Sequence, residues 1–212
     1  MCSMFRDRME AARRLAERLA GYRGKQPLVL AIPRGAVPMA KIVAEMLEGE
    51  FDVVLVRKLR APSNPEFAIG AIDESGWSFI AEHAAAAGAG ADYLAAEQRT
   101  QLETLRRRRA EYTPLRPPLD PAGRIVIVID DGLATGATMI AALHGLRARN
   151  PARLVCAVPV SPPETLEKVA SLADEVICLE TPENFQAVGQ FYQDFAQVDD
   201  EQVREMLRVA QR

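Results

Sequence analysis

Apolar positions along this chain follow two rhythms. Near the N-terminus Phe5, Met9, Ala12, Leu15 and Leu19 fall on one face at helical spacing, which predicts an amphipathic helix over residues 4–20. Short apolar runs at 27–32 ("PLVLAI"), 51–59 ("FDVVLVRKL"), 124–130, 153–160 and 175–180 each predict a buried strand. Helical patterns over 37–48, 136–149 and 163–172 lie between them. Apolar strands alternating with helices predict an α/β fold, a parallel sheet with both faces covered.

The middle of the chain departs from this alternation. "PEFAIGAIDESGWSFI" (65–80) reads as two strands around an Asp-Glu-Ser-Gly turn, and a long helix is expected over 92–112. Between them "EHAAAAGAGADYL" is low in complexity, with mobility expected at Gly88 and Gly90. The helix breaks at the proline-rich "TPLRPPLDPAGR". Residues 61–122 read as an inserted region within a single domain over 1–212, and the tail (182–212) carries an aromatic cluster and a final helix.

Composition acts mainly by exclusion. With 212 residues, 49% apolar and 26% charged, the chain is globular, neither disordered nor collagen-like. No apolar run approaches the roughly 20 residues of a membrane helix, and the N-terminus mixes acids and arginines through its apolar positions, unlike a signal peptide. Cys2, Cys156 and Cys178 lack metal-like spacing, which points to reduced thiols and a cytoplasmic protein, with Cys156 and Cys178 as core packing. A net charge of −3 gives no pull toward nucleic acid or membrane. "RRRR" (106–109) spreads around a helix with pairs Glu103–Arg107 and Arg107–Glu111, so a solvated face is expected. His83 and His144 have no partner spacing for zinc, and His144 reads as surface or packing.

The chemistry concentrates in "GRIVIVIDDGLATGATMIAALHGL" (123–146). An apolar strand runs into Asp130 and Asp131, and a small-residue loop then opens a helix. In an open parallel sheet, ligands bind at the carboxyl ends of strands, where the next helix presents free N–H groups. Gly132 and Gly136 permit tight backbone geometry and Thr135 and Thr138 add hydroxyls, so the loop suits a phosphate. The two acids would repel that phosphate. They suit a ligand bearing neutral hydroxyls as well, with a divalent cation. Their mutual repulsion predicts that replacing them leaves stability unchanged or raises it.

"VIVIDDGLATGAT" resembles the signature of the type I phosphoribosyltransferases over thirteen contiguous residues. The resemblance implies a five-stranded parallel sheet flanked by helices, with a small hood and an inserted hairpin and helix. It assigns Asp130 and Asp131 to the ribose hydroxyls of 5-phosphoribosyl 1-pyrophosphate (PRPP). It gives the segment Ala134, Thr135, Gly136, Ala137 and Thr138 to the 5′-phosphate. "PRGA" (33–36) stands where the family places its pyrophosphate loop, which assigns Arg34 and Gly35; Ala36 replaces the commoner second glycine. "VRK" (56–58) closes the second strand as in several members and brings Arg57 and Lys58 to the pyrophosphate.

"TPENFQAVGQFYQDF" (181–195) loosely resembles a purine-type hood, with Phe185 stacking on the base and Asp194 approaching the metal, although its aromatic residues also suit a core. Mg²⁺ is the implied cofactor, held near Asp130 and Asp131 through ligand or water. The implied activity is transfer of phosphoribose to a nitrogenous acceptor, such as a purine base, with release of pyrophosphate through an oxocarbenium-like state. Relatives with purine substrates often carry an acid where this chain has Ala134. The partners implied are PRPP and a small acceptor, with a possible homodimer as in many relatives. The alternative is a non-enzymatic regulator that senses PRPP or a nucleotide in the same pocket. A phosphoacceptor receiver fold is disfavoured, since 129 residues precede the acid pair. No Gly-Lys-Ser/Thr follows a glycine loop, which excludes a P-loop.

Overall fold

The computed structural model describes residues 4–115 and 117–209; Cys2, Arg116 and the end of the tail (210–212) lie outside the described residues. The first helix, α1 (Arg8–Arg18), starts where the Asp7 side chain accepts from the Glu10 amide at 2.8 Å. It is shorter than the 4–20 periodicity predicts because Phe5 is claimed by the tail. Phe5 N donates to Phe191 O and Gln193 N donates to Phe5 O, each at 2.9 Å. The chain continues through β1 (Leu28–Ala31), α2 (Val37–Leu47), β2 (Glu50–Val53), β3 (Val56–Ala61), β4 (Asn64–Asp73), β5 (Ser78–Ile80) and α3 (Ala91–Tyr112). It ends with β6 (Ile125–Ile129), α4 (Ala137–Arg147), β7 (Arg153–Val160), α5 (Pro163–Ala170), β8 (Glu175–Glu180) and α6 (Asp200–Val209).

Five strands form one parallel sheet in the order β2-β1-β6-β7-β8. The pleat sends alternate residues to opposite faces. Val29, Ala31, Ile127 and Ile129 pack with α1 and α2, whereas Leu28, Leu30, Val126 and Val128 pack with α4. This two-sided burial explains why the strands read as unbroken apolar runs. After β1 the chain turns toward β2, and after β6 toward β7 on the other side. The adjacent ends of β1 and β6 therefore form the topological switch point where open α/β sheets bind ligands.

The 51–59 run is not one strand. β2 ends at Val53 in the parallel sheet, and from Val56 the chain joins a second, antiparallel sheet of order β3-β4-β5. Arg57 and Lys58 thus belong to the small sheet and do not close a strand of the large one. The change is invisible in the apolar pattern because Leu55, Val56 and Leu59 stay buried across the junction. The low-complexity segment is folded: Glu82–Ala84 forms a 3₁₀ turn, Ala84 and Ala89 are buried, and Gly88 takes φ +83°.

The arginine run is only partly a solvated face. Arg109 Nε and Nη2 donate to Glu74 at 2.7 and 2.6 Å, and Arg108 Nη2 lies 3.6 Å from Asp200. Cys156 is buried and Cys178 half-buried, both with free thiols. His144 stacks on Trp77 with ring centres 3.5 Å apart.

Candidate functional site

At the switch point a cavity of about 640 Å³ gathers Arg34 and Gly35 from the β1–α2 turn, Lys58 from β3, and Asp130, Asp131, Ala134, Thr135, Gly136 and Thr138 from the β6–α4 connection. Residues 186–189 and Phe195 from the tail complete its lining. Four separate stretches of sequence therefore converge on one hollow.

Asp130 and Asp131 follow β6 directly, and the Asp131 amide donates to Asp130 Oδ1 at 2.9 Å. Burial holds the Asp130 carboxyl well above its ordinary range, and the neighbouring Asp131 charge pushes it further, while Lys58 and Arg8 oppose the rise. Burial raises Asp131 too, with Arg8 as the leading opposing charge.

Arg8 is a site residue that the sequence does not announce. It lies in the first turn of α1, and its Nε and Nη2 donate to Asp131 Oδ2 at 2.9 and 2.7 Å. Its Nη1 donates to Ala196 O at 2.7 Å, and its guanidinium lies 3.8 Å over the Phe195 ring. The side chains are 11% and 17% exposed, so the ion pair is largely shielded from water. Asp131 is also tied to the tail through its carbonyl, which accepts from the Tyr192 hydroxyl at 2.7 Å.

The β1–α2 turn explains its glycine. The Pro33–Arg34 peptide is cis. A Cβ on Gly35 would overlap the Asp131 carboxylate and stand 3.1 Å from Arg8 Nη2. Only glycine lets this turn lie against the acid. Ala36, the departure from the family pattern, is buried at the start of α2.

The phosphate-type loop leads into α4, whose N-cap Gly136 adopts φ +74° and provides no side-chain cap. The Ala137 amide makes a long contact to Thr135 Oγ1 at 3.5 Å, and the first-turn N–H groups beyond it suit an anion. A Cβ at Gly136 would meet Thr165 Cγ2 at 2.8 Å. The loop is braced from behind, because Thr165 Oγ1 donates to Ala134 O at 2.7 Å. Ala137 is buried at the first turn and contributes backbone alone.

Arg57 is not among the residues lining this cavity. It lines an adjoining cleft of about 380 Å³ with Arg34, Lys58, Arg60 and Arg108. Its Nε donates to Gln101 Oε1 at 2.5 Å. Burial, then Arg108 and Arg60, hold its guanidinium below the ordinary arginine range.

Two residues expected from the tail, Phe185 and Asp194, do not line this cavity. Phe185 packs on Phe191 at 5.1 Å between ring centres and against the core, and the aromatic ring in the cavity is that of Phe195. The two positions could not be separated in the sequence because both lie in one aromatic cluster. Asp194 is exposed, accepts from the Ala196 amide at 3.0 Å, and does not line the cavity.

Among the described residues, no group of three or more His, Cys, Asp or Glu side chains is placed to hold a metal ion. Asp130 and Asp131 alone suit an ion that keeps several waters and arrives with phosphate oxygens, which is the habit of Mg²⁺. Arg8 already engages one oxygen of Asp131. Among the described residues, no helix is long and apolar enough to cross a membrane.

Comparison with known proteins bears on this geometry. A family model for the phosphoribosyl transferase domain matches residues 4–196. A protein of Mycobacterium tuberculosis strain H37Rv, provisionally named a phosphoribosyl transferase, is 43% identical over 211 residues, which is 99% of this chain and 47% of that protein. The chain thus spans about half the length of the curated relatives it matches. The crystal structure of TT1426 from Thermus thermophilus is 46% identical, with 97% of this chain and 98% of that one covered and a TM-score of 0.81. A hypothetical protein from Neisseria gonorrhoeae, solved with bound ppGpp, is 15% identical with 97% and 93% covered and a TM-score of 0.51, a likeness of fold.

Proposed function

Because the chain belongs to the phosphoribosyl transferase domain family, we propose that it binds PRPP with Mg²⁺ and transfers phosphoribose to a nitrogenous acceptor such as a purine base, releasing pyrophosphate. One observation carries this reading: a single cavity gathers an acid pair with two anion-suited elements, the Thr135–Thr138 turn and Arg34 with Lys58. Asp130 and Asp131 accept the ribose hydroxyls. Arg8 orients Asp131 through one oxygen and opposes the rise of its carboxyl, which leaves the other oxygen to accept. The α4 N-terminus holds the 5′-phosphate, with Thr135 and Thr138 as hydroxyl donors.

Arg34 and Lys58 hold the pyrophosphate and stabilise the charge it gains on leaving. Mg²⁺, when it arrives with PRPP, supplies further neutralisation of the phosphates. The acceptor enters beside residues 186–189 and Phe195, whose ring offers an apolar face. At position 134 the alanine supplies no acid or base, so transfer depends on alignment and leaving-group stabilisation.

The test is a pyrophosphate-release screen with PRPP, Mg²⁺ and a panel of purine, pyrimidine and other nitrogenous acceptors. Release with one acceptor supports transfer. PRPP binding with no release across the panel supports a sensor in the same pocket, and absence of PRPP binding removes both readings.

A further inference from the structure

The adjoining cleft carries more positive charge than the cavity it joins. Arg34, Arg57, Lys58, Arg60 and Arg108 line it, and no acid is among its described lining residues. Ile32, Pro33, Arg34, Lys58 and Thr138 line both spaces, so the cleft continues directly from the phosphoribosyl cavity. Its bases come from three elements. β3 supplies Arg57, Lys58 and Arg60, with register shifts on either side of Arg60. The β1–α2 turn supplies Arg34, and α3 supplies Arg108.

One acid answers two of these bases from outside. Asp200, the first residue of α6, places Oδ2 3.4 Å from Arg34 Nη1 and Oδ1 3.6 Å from Arg108 Nη2. The contacts are long. Although Asp200 Oδ1 is buried, it makes no hydrogen bond among the described residues. Arg34 and Asp200 side chains remain 41% and 40% exposed. Long, half-exposed ion pairs are weak, whereas phosphate oxygens close on arginine through short charge-assisted bonds. A phosphate group would therefore win these two arginines from the carboxylate.

We propose that this cleft seats a polyphosphate group, that Arg60 and Arg108 are binding residues for it, and that Asp200 is an internal anion which the phosphate displaces from Arg34 and Arg108. The ligand class rests on the phosphoribosyl reading, in which Arg34 and Lys58 already take pyrophosphate. The C-terminal helix thus becomes a counter-ion that yields when the substrate's pyrophosphate arm, or released pyrophosphate, enters the cleft. Arg108 couples the event to α3, which no motif in the sequence assigns to binding.

The experiment titrates inorganic pyrophosphate with Mg²⁺, and separately ribose 5-phosphate, into wild type, Asp200→Asn, Arg60→Ala, Arg108→Ala and Arg108→Lys. Removing the competing charge should tighten pyrophosphate binding in Asp200→Asn by roughly 3- to 10-fold. Arg108→Ala and Arg60→Ala should each weaken it by about tenfold or more, and Arg108→Lys should recover part of that loss. Ribose 5-phosphate affinity should stay level in every variant. Unchanged or weaker pyrophosphate binding in Asp200→Asn overturns the displacement, and unchanged binding in the arginine variants overturns the cleft. If wild type fails to bind ribose 5-phosphate, the phosphoribosyl reading falls, while the pyrophosphate series still decides the cleft by the same outcomes.

Discussion

Removing the two acids does not have one effect, because Arg8 divides them. Asp131 is paired with a cation, whereas Asp130 accepts only the Asp131 amide and feels the charge of its neighbour and of Lys58 and Arg8. A double-mutant cycle between positions 8 and 131 isolates the pair. Arg8→Ala strips two hydrogen bonds from Asp131, one from Ala196 O, and the stacking on Phe195. Charge-assisted bonds are worth about 1.5–3 kcal/mol each, but the two to Asp131 share one oxygen and retain some exposure. A net loss of about 2–3 kcal/mol is therefore expected for Arg8→Ala, with Asp131→Asn costing about 1 kcal/mol because it also relieves Asp130. In the double variant the losses should overlap, leaving a coupling energy of about 1–2 kcal/mol. The assay is urea denaturation of all four proteins at neutral pH, with unchanged m-values as the check on two-state behaviour. Additive losses would show that the ion pair contributes nothing, and the idea that Arg8 sustains the charge of Asp131 would be wrong.

Other predictions follow from the same contacts. Asp130→Asn should stabilise the protein at neutral pH: a carboxyl whose folded pKa is raised loses stability as pH climbs from its unfolded value through its folded one. The gain over wild type should therefore grow as pH rises above the ordinary carboxylate range in urea titrations, and a constant difference counts against a raised Asp130. Gly35→Ala should weaken PRPP binding by about tenfold or more, since its Cβ displaces the Asp131 carboxylate; calorimetry showing wild-type affinity would mean the turn can move aside. Phe195→Leu should raise the Michaelis constant for the acceptor, whereas Phe185→Leu should cost about 1 kcal/mol of stability with kinetics near wild type; the reverse pattern would return the acceptor contact to Phe185.

What the sequence disclosed follows from how local each signal is. β6, the acid pair and α4 are contiguous, so the apolar run, Asp130–Asp131 and the Thr135–Thr138 loop announce a strand, a site and a helix together. The parallel sheet was legible for the same reason, since strands buried on both faces are apolar throughout. The break between β2 and β3 was hidden, because a chain passing from one buried sheet to another keeps its apolar pattern at Leu55 and Val56. Arg8 was hidden by distance, standing 123 residues from its partner. In "RRRR" four identical side chains carry no sign of which faces Glu74, which faces Asp200 and which face water. The repulsion within the acid pair is visible in the sequence, whereas the cation that α1 brings to Asp131 is not.

In the proposed function the cavity holds PRPP in two halves, ribose 5-phosphate on the β6–α4 connection and pyrophosphate on Arg34 and Lys58. Lys58→Ala tests it most directly, since it removes one point charge and leaves the Thr135–Thr138 loop untouched. Two dissociation constants are measured in wild type and variant, one for PRPP with Mg²⁺ and one for ribose 5-phosphate. Loss of one charge-assisted contact should weaken PRPP binding by about 10- to 150-fold while ribose 5-phosphate binds as before. Equal losses for both ligands would place Lys58 on the shared half of the molecule and contradict the two-site map.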